Sequence, residues 1–175
     1  MVSKVEKLEE LIPLKLKSGL GYEIIIGREL DEMIMQEFTG DVFLIVDQNV
    51  YELYNSKYNF DRLGNRLYVL KSGEYSKSWQ YVEKIAKKML QSGCNRQSSI
   101  IAVGGGVTGD LSGFVASIFM RGVKIIHIPT TLLACVDSSI GGKTGIDFLE
   151  YKNILGAFYQ PSKIIISTNF FATLP

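Results

Sequence analysis

The sequence SIIAVGGGVTGD, at residues 99–110, decides the fold of this chain. Its first half is rich in isoleucine and valine and predicts a buried strand, and the glycines that follow predict a tight turn. An apolar stretch at residues 111–120 then predicts a helix, and residues 123–128 predict a second strand. A strand, a glycine turn, a helix and another strand are typical of a parallel sheet whose turns bind phosphate groups.

The same alternation extends along the rest of the chain. Strand-like sequences rich in apolar residues predict further strands at residues 22–26, 42–46, 66–70 and 163–167, and the run at 42–46 is purely apolar. Helical spacing of apolar residues predicts helices at 28–38, 50–58, 78–92 and 130–136. The helix at 78–92 has a predicted buried stripe formed by Trp79, Val82, Ile85, Ala86, Met89 and Leu90. Buried strands alternating with helices predict an α/β fold, with a mostly parallel sheet and helices on both faces.

Composition indicates an ordinary globular domain. The chain has 175 residues, of which 46% are hydrophobic and 21% are charged, and its net charge is +1. This near-neutral balance predicts neither nucleic acid nor a membrane as a partner. Residues 1–10 mix lysine and glutamate and lack the apolar core of a signal peptide. With only two cysteines, Cys94 and Cys135, a cytoplasmic location is the simplest expectation.

The ligands for a metal site are scarce in this chain. His127 is the only histidine, and the two cysteines are too far apart in sequence to form a metal-binding pair. The chain therefore cannot supply a multi-histidine site by itself. His127 lies in the predicted strand at 123–128, where a packed core histidine is the simplest interpretation.

The glycine turn at residues 104–109 fits a dinucleotide-binding fingerprint only in part. Gly104, Gly106 and Gly109 satisfy G-x-G-x-x-G between a strand and a helix. The usual carboxylate at the end of the next strand is missing, but Asp47 ends an earlier strand and could hold a ribose from there. The sheet order would then differ from that of the standard dinucleotide fold. A purely structural turn remains the alternative.

Two further polar segments follow predicted strands. In the loop DSSIGGKTG, at residues 137–145, Gly142-Lys143-Thr144 resembles the end of a P-loop, but Asp137 stands where that motif needs a glycine. Lys143 is thus either a phosphate or carbonyl contact or a solvated surface lysine, and Asp137, among small residues, could face a ligand. The segment SGEYSK, at residues 72–77, is either a ligand loop or simply a helix start capped by serine.

Considered together, these segments resemble the 3-dehydroquinate synthases of the sugar phosphate cyclase superfamily. The resemblance covers essentially the whole chain and is only general before about residue 40. The segments that carry it are GGGVTGDLSGF at 104–114, RGV at 121–123, PTTLL at 129–133, DSSIGGKTG at 137–145, KN at 152–153, GAFYQP at 156–161 and TLP at 173–175.

The resemblance implies a Rossmann-like domain over residues 1–175 that binds NAD, and a phosphorylated small molecule as the substrate. It implies a cofactor site formed by Asp47, Asn49, Ser72, Gly73, Glu74, Lys77, Gly105, Gly106, Val107, Thr108, Gly109, Asp110, Thr130, Thr131, Asp137, Ser138, Lys143, Lys152, Phe170 and Thr173. It also implies substrate contacts or catalytic roles for Arg121, Asp137, Lys143 and Asn153.

The resemblance also implies parts that this chain lacks. The family's Zn²⁺ or Co²⁺ would be held by a glutamate and two histidines in a helical C-terminal domain, beyond Pro175. The expected whole enzyme is a homodimer, and the chain alone is expected to bind NAD without turnover. Residues 147–151 depart from the histidine, proline and glycine that many members have there. The alternatives are a related sugar phosphate cyclase, a metal-dependent polyol dehydrogenase, and a nucleotide-binding module without enzymatic activity.

Overall fold

A seven-stranded, mostly parallel sheet forms the centre of the molecule. The computed structural model describes residues 10–15 and 21–174. Pro175 and residues 1–9 lie outside these ranges, and so does most of the N-terminal segment that lacks the apolar core of a signal peptide. The strands of the sheet are β1 (Glu10–Lys15), β2 (Gly21–Gly27), β3 (Val42–Asp47), β4 (Leu67–Leu70), β5 (Ser99–Gly104), β6 (Lys124–Pro129) and β9 (Lys163–Ser167). Their order across the sheet is β1-β2-β9-β6-β5-β3-β4, and among these described strands only β1 and β2 pair in an antiparallel manner.

Helices cover both faces of this sheet, which confirms the predicted α/β class. They are α1 (Asp31–Glu37), α2 (Gln48–Tyr58), α3 (Trp79–Gln91) and α4 (Gly106–Ile118). Successive side chains of β3 point to opposite faces. Leu44 and Val46 join the core beneath α1 and α2, whereas Phe43 and Ile45 join the core beneath α3 and α4. This double burial explains why the central strands have uninterrupted apolar sequences.

A separate two-stranded hairpin was not predicted. It consists of β7 (Lys143–Phe148) and β8 (Tyr151–Phe158), which are antiparallel. Here the two glycines at positions 145 and 156 face each other. A Cβ atom added at Gly156 would lie 2.3 Å from the carbonyl oxygen of Thr144, so the strands come together only because Cβ atoms are absent. No regular apolar alternation marks β8, because most of its residues are exposed.

Three further predictions need correction. The helix predicted at 28–38 begins only at Asp31. The helix predicted at 130–136 is present, but it begins at Leu132 and continues as a π-helix, Ala134–Ser138. In α3, Val82, Ile85 and Met89 are buried as predicted. Trp79 and Leu90, however, are 47% and 58% exposed, because they lie at the edges of the predicted stripe. Thus the helical period was right and the width of the buried face was overestimated.

Candidate nucleotide and substrate site

The chain reverses its direction across the sheet between β3 and β5. From β3 it moves outward to β4, and from β5 it moves the other way to β6. The carboxyl ends of these two neighbouring strands therefore flank a crevice, which is where open α/β sheets bind their ligands. Asp47 ends β3 and Gly104 ends β5. A Cβ atom added at Gly104 would lie only 3.0 Å from Cβ of Asp47, so the two positions are in contact.

Hydrogen bonds hold the carboxylate of Asp47 at this crevice. Its Oδ1 accepts from the backbone N–H of Asn49 at 2.9 Å and from the hydroxyl of Ser72 at 2.8 Å. The first bond caps α2 in the usual manner of an aspartate. Within the described part of the chain both bonds end on Oδ1, so Oδ2 keeps its capacity to accept from a ligand hydroxyl.

The glycine turn on the other side of the crevice exposes backbone N–H groups. Gly105 precedes α4 without a side-chain cap, so the first N–H groups of this helix are available to an anion. Cβ atoms added at Gly105 and Gly106 would lie 3.3 Å from Cγ2 of Thr131 and 3.2 Å from Oγ of Ser138. Side chains at these two glycines would thus crowd the groove.

An unpartnered hydroxyl lies beside this turn. The Oγ1 atom of Thr108 is buried and has no hydrogen-bond partner among the described residues. Leaving a buried hydroxyl unpaired is costly, so such an atom indicates a missing partner. A phosphate group at the turn would be a suitable acceptor for its proton.

These features line one cleft of about 560 Å³. The predicted cofactor residues that line it are Asp47, Asn49, Gly73, Gly105, Gly106, Val107, Thr108, Thr130, Thr131, Phe170 and Thr173. Sequence reasoning missed Val50, Glu52, Leu53, Tyr54 and Leu174, which also line it. Tyr54 follows Leu53, which could have been found from its position one turn after Asn49 on α2. The hydroxyl of Tyr54 is 2.9 Å from Oγ1 of Thr173, and this contact closes one side of the cleft.

A second cavity, of about 690 Å³, lies between the π-helix and the hairpin. The predicted site residues that line it are Asp110, Asp137, Ser138, Lys143 and Asn153. Asp137 is exposed on the π-helix, a distortion that is frequent at functional sites. Ile140, Thr144, Ile154 and Phe158 line the cavity as well and were not predicted. The cavity therefore combines carboxylates, one lysine and an apolar wall.

Lys77 and Asp110 form a buried ion pair, and Asp110 lines the second cavity. The Nζ atom of Lys77 donates to Oδ2 of Asp110, and the two side chains are 6% and 19% exposed. Burial raises the pKa of the Asp110 carboxyl above its ordinary value, and the negative charges of Glu74 and Asp137 add to this increase. Lys77 acts in the opposite direction, but the pKa remains above its ordinary value. In this conformation Lys77 binds a carboxylate of its own chain.

The remaining predicted residues line neither cavity. Ser72 holds Asp47, and Gly109 lies within α4, where an added Cβ atom would be 3.7 Å from Nδ1 of His127. Lys152 forms an exposed ion pair with Glu74 at 3.8 Å. Arg121 lies after the end of α4, in a left-handed conformation with φ of 70°. It thus lies close to the start of β6, whereas the cofactor cleft lies at the carboxyl ends of the strands.

His127 is buried in β6, as predicted. Burial lowers the pKa of its imidazole to about 4, so the ring is neutral at ordinary pH. The described residues contain no group of three His, Cys, Asp or Glu side chains that could hold a metal ion. Neither do they include a helix with the length and apolar character needed to cross a membrane.

Comparison with known proteins identifies the family. The family model for the N-terminal part of 3-dehydroquinate synthase matches residues 67–175, which is more than half of the chain. The chain belongs to the 3-dehydroquinate synthase family. A 3-dehydroquinate synthase of Dictyoglomus thermophilum is 44% identical over 172 residues, which are 96% of this chain and 47% of that enzyme. This member of the family therefore spans about half the length of that relative.

Solved structures of related cyclases share the fold. A 2-deoxy-scyllo-inosose synthase, in complex with carbaglucose-6-phosphate, NAD⁺ and Co²⁺, aligns with a TM-score of 0.79 and 25% identity over 95% of this chain and 48% of its own. The 2-epi-5-epi-valiolone synthase of Streptomyces hygroscopicus subsp. jinggangensis 5008, with NAD⁺ and Zn²⁺ bound, aligns with a TM-score of 0.78 and 27% identity. That alignment covers 92% of this chain and 47% of the synthase. The predicted Rossmann-like architecture is thereby confirmed.

Proposed function

We propose that this chain is the NAD-binding part of a 3-dehydroquinate synthase. The whole protein would convert 3-deoxy-D-arabino-heptulosonate 7-phosphate into 3-dehydroquinate and phosphate, a step of the shikimate pathway. Family membership and the 44% identity with a 3-dehydroquinate synthase support this reaction. The structural observation that carries the proposal is the crevice between Asp47 and Gly104, where the chain reverses across the sheet.

Residues along the cleft suit, in order, the ribose, the pyrophosphate and the nicotinamide of a dinucleotide. Asp47 would accept a hydrogen bond from a ribose hydroxyl, as the acid of a dinucleotide fold does. The N–H groups at the start of α4 and the unpartnered hydroxyl of Thr108 would bind the pyrophosphate. Thr130 and Thr131 would line the nicotinamide side. Bound there, NAD would take up and return a hydride, so that no net oxidation occurs.

The second cavity would hold the substrate. Lys143 provides a compact positive charge for the phosphate group, and Asp137 and Asn153 can bind hydroxyl groups. We also propose that Lys77, Glu74, Lys152 and Arg121 contribute to cofactor or substrate binding in the whole protein. For Lys77 this requires that its pairing with Asp110 be shared with, or exchanged for, a ligand contact.

The residues that bind a divalent metal would lie in another part of the whole protein. The described residues do not fit a metal ion. The whole protein is proposed to hold Zn²⁺ or Co²⁺ on residues that this chain does not contain. We also propose a homodimer, which the family resemblance supports, and a cytoplasmic location, which the two buried and unpaired cysteines support.

The NAD site can be tested with two matched hydroxyl deletions. The Oγ atoms of Thr108 and Ser112 are both buried and unpartnered in α4, but only Thr108 lines the cleft. In calorimetric titrations of this chain with NAD, Thr108→Val should raise Kd by about tenfold, because a hydrogen bond to a charged group is lost. Ser112→Ala should leave Kd unchanged. An equal Kd in both variants would contradict the placement of the pyrophosphate.

The reaction itself can be tested with the whole protein. Phosphate release from 3-deoxy-D-arabino-heptulosonate 7-phosphate, followed together with absorbance of NADH, should show turnover without net NADH. Continuous NADH formation with glycerol as the substrate would instead indicate a polyol dehydrogenase. Ring formation from glucose 6-phosphate or sedoheptulose 7-phosphate would indicate one of the related cyclases.

A further inference from the structure

The turn before Lys143 consists of two glycines in the left-handed region. Gly141 and Gly142 have φ values of 88° and 71°, which residues with side chains rarely adopt. Lys143 follows at once and is the first residue of β7. A pair of glycines is conformationally free unless other groups hold it. The position of Lys143 in the second cavity therefore depends on what holds this turn.

Hydrogen bonds from distant residues hold both glycines. The N–H of Gly141 donates to the hydroxyl of Tyr22 at 3.3 Å, and Nε2 of Gln160 donates to the carbonyl oxygen of Gly141 at 3.1 Å. The backbone N–H of Tyr159 donates to the carbonyl oxygen of Gly142 at 2.7 Å. The turn is thus held from β2 on one side and from residues 159–160 on the other.

The side-chain amide of Gln160 also fits closely against the turn. A Cβ atom added at Gly142 would lie 2.7 Å from both Cδ and Nε2 of Gln160. The orientation of the amide follows from its contacts, because the opposite orientation would place Oε1 against the carbonyl oxygen of Gly141. The Oε1 atom is buried without a hydrogen-bond partner among the described residues. Gln160 therefore acts on the turn as a donor.

The segment that carries Gln160 is itself attached to the central sheet. The hydroxyl of Tyr159 donates to the carbonyl oxygen of Val123 at 2.9 Å. The backbone N–H of Ser162 donates to the carbonyl oxygen of Ile125, at the start of β6, at 2.8 Å. Gln160 thus has a rigid support, and the turn before Lys143 is positioned relative to β6.

We infer that Gln160 is a positioning residue for Lys143. By holding the Gly141–Gly142 turn, its amide keeps the ammonium group of Lys143 where the phosphate of the substrate binds. This inference rests on the substrate role that we propose for Lys143. It assigns Gln160 no contact with the substrate, because Gln160 does not line the second cavity.

A double-mutant cycle in the whole protein tests this role. Gln160→Ala should raise KM for the phosphorylated substrate by about tenfold and change kcat little, because binding of the phosphate is weakened before and during the reaction alike. In a Lys143→Ala background the same substitution should change KM less than about twofold, since its target is gone. Gln97→Ala, at an exposed glutamine, is the matched control. Equal effects of Gln160→Ala in both backgrounds would overturn the inference.

Gln160→Glu gives a second test with nearly the same side-chain volume. An ionised carboxyl cannot donate to the carbonyl oxygen of Gly141, whereas a protonated one can. KM should therefore be raised at neutral pH and should recover towards the native value as the pH is lowered. A KM ratio between variant and native protein that is constant with pH would contradict a role as a donor.

Amide hydrogen exchange separates this inference from the proposed function. In this chain, Gln160→Ala and Tyr22→Phe should each speed exchange at Gly141 by at least about tenfold, because the turn loses a contact. Absence of turnover by the native whole protein would refute the proposed function alone. Unchanged exchange at Gly141 in Gln160→Ala would overturn the positioning role, whatever the activity.

Discussion

At the scale of single residues, two lysines at the site have opposite environments. Lys77 is almost fully buried against Asp110, whereas the side chain of Lys152 is 73% exposed beside Glu74. Removing one partner of a buried pair leaves an uncompensated charge, but an exposed pair contributes little. Lys77→Met should therefore lower the free energy of unfolding by about 3 kcal/mol, and Lys152→Met by less than about 1 kcal/mol. Urea denaturation of both variants measures this difference, and similar losses would contradict it.

The single histidine predicts a pH dependence. The unfolded chain protonates His127 below pH 6.5, but burial lowers the pKa in the folded chain to about 4. The unfolded state therefore binds more protons between these values, and stability falls as the pH drops through this window. The expected loss between pH ~7.5 and pH ~5 is about 2 kcal/mol.

Denaturation of His127→Gln over the same pH range is the control. The raised pKa of Asp110 has the opposite effect on stability, because the folded state binds a proton on this carboxyl at a higher pH than the unfolded state does. His127→Gln retains Asp110 and therefore retains this contribution. The loss of stability on acidification should disappear in His127→Gln. If it persists, another group is responsible.

At the scale of elements, α4 packs closely against the hairpin because Gly113 has no side chain. A Cβ atom added at Gly113 would lie 2.3 Å from Cγ2 of Thr144. Alanine is the better helix former by about 1 kcal/mol, yet overpacking costs about 1–3 kcal/mol. Gly113→Ala should therefore destabilise the chain, as measured by thermal unfolding. Adding Thr144→Ser removes Cγ2, keeps the hydroxyl bonded to Ala157, and leaves only the close contact with Cβ at 3.0 Å, so it should recover part of the lost stability. An absence of any recovery would refute the packing argument.

At the scale of the whole molecule, we predict that this chain binds NAD but does not catalyse the proposed reaction by itself. This chain contains the proposed NAD cleft, whereas it has a single histidine and its described residues contain no metal-binding cluster. The isolated chain should bind NAD and be stabilised by it, but should release no phosphate from the substrate when Zn²⁺ is added. Turnover comparable to that of the whole protein would refute this assignment of the metal.

Much of the fold and part of the site could be predicted from the sequence. Parallel strands that are buried on both faces have nearly continuous apolar sequences, so the strands at 42–46, 99–103 and 163–167 were predicted correctly. Strand ends followed by polar or glycine residues indicated the edge of the sheet where Asp47 and the glycine turn lie. The hairpin was missed because its close approach depends on glycine pairs rather than on apolar periodicity.

The sequence by itself determined the α/β class, the glycine turn at the start of α4 and the residue types available for binding, because these follow from local periodicity and composition. Only the tertiary structure decided which of them meet. It placed Asp47 beside Gly104, paired Lys77 with Asp110, and brought Tyr22 and Gln160 to the turn before Lys143. Each of these contacts joins residues far apart in the chain, and they depend on the order of strands in the sheet, which no local pattern encodes.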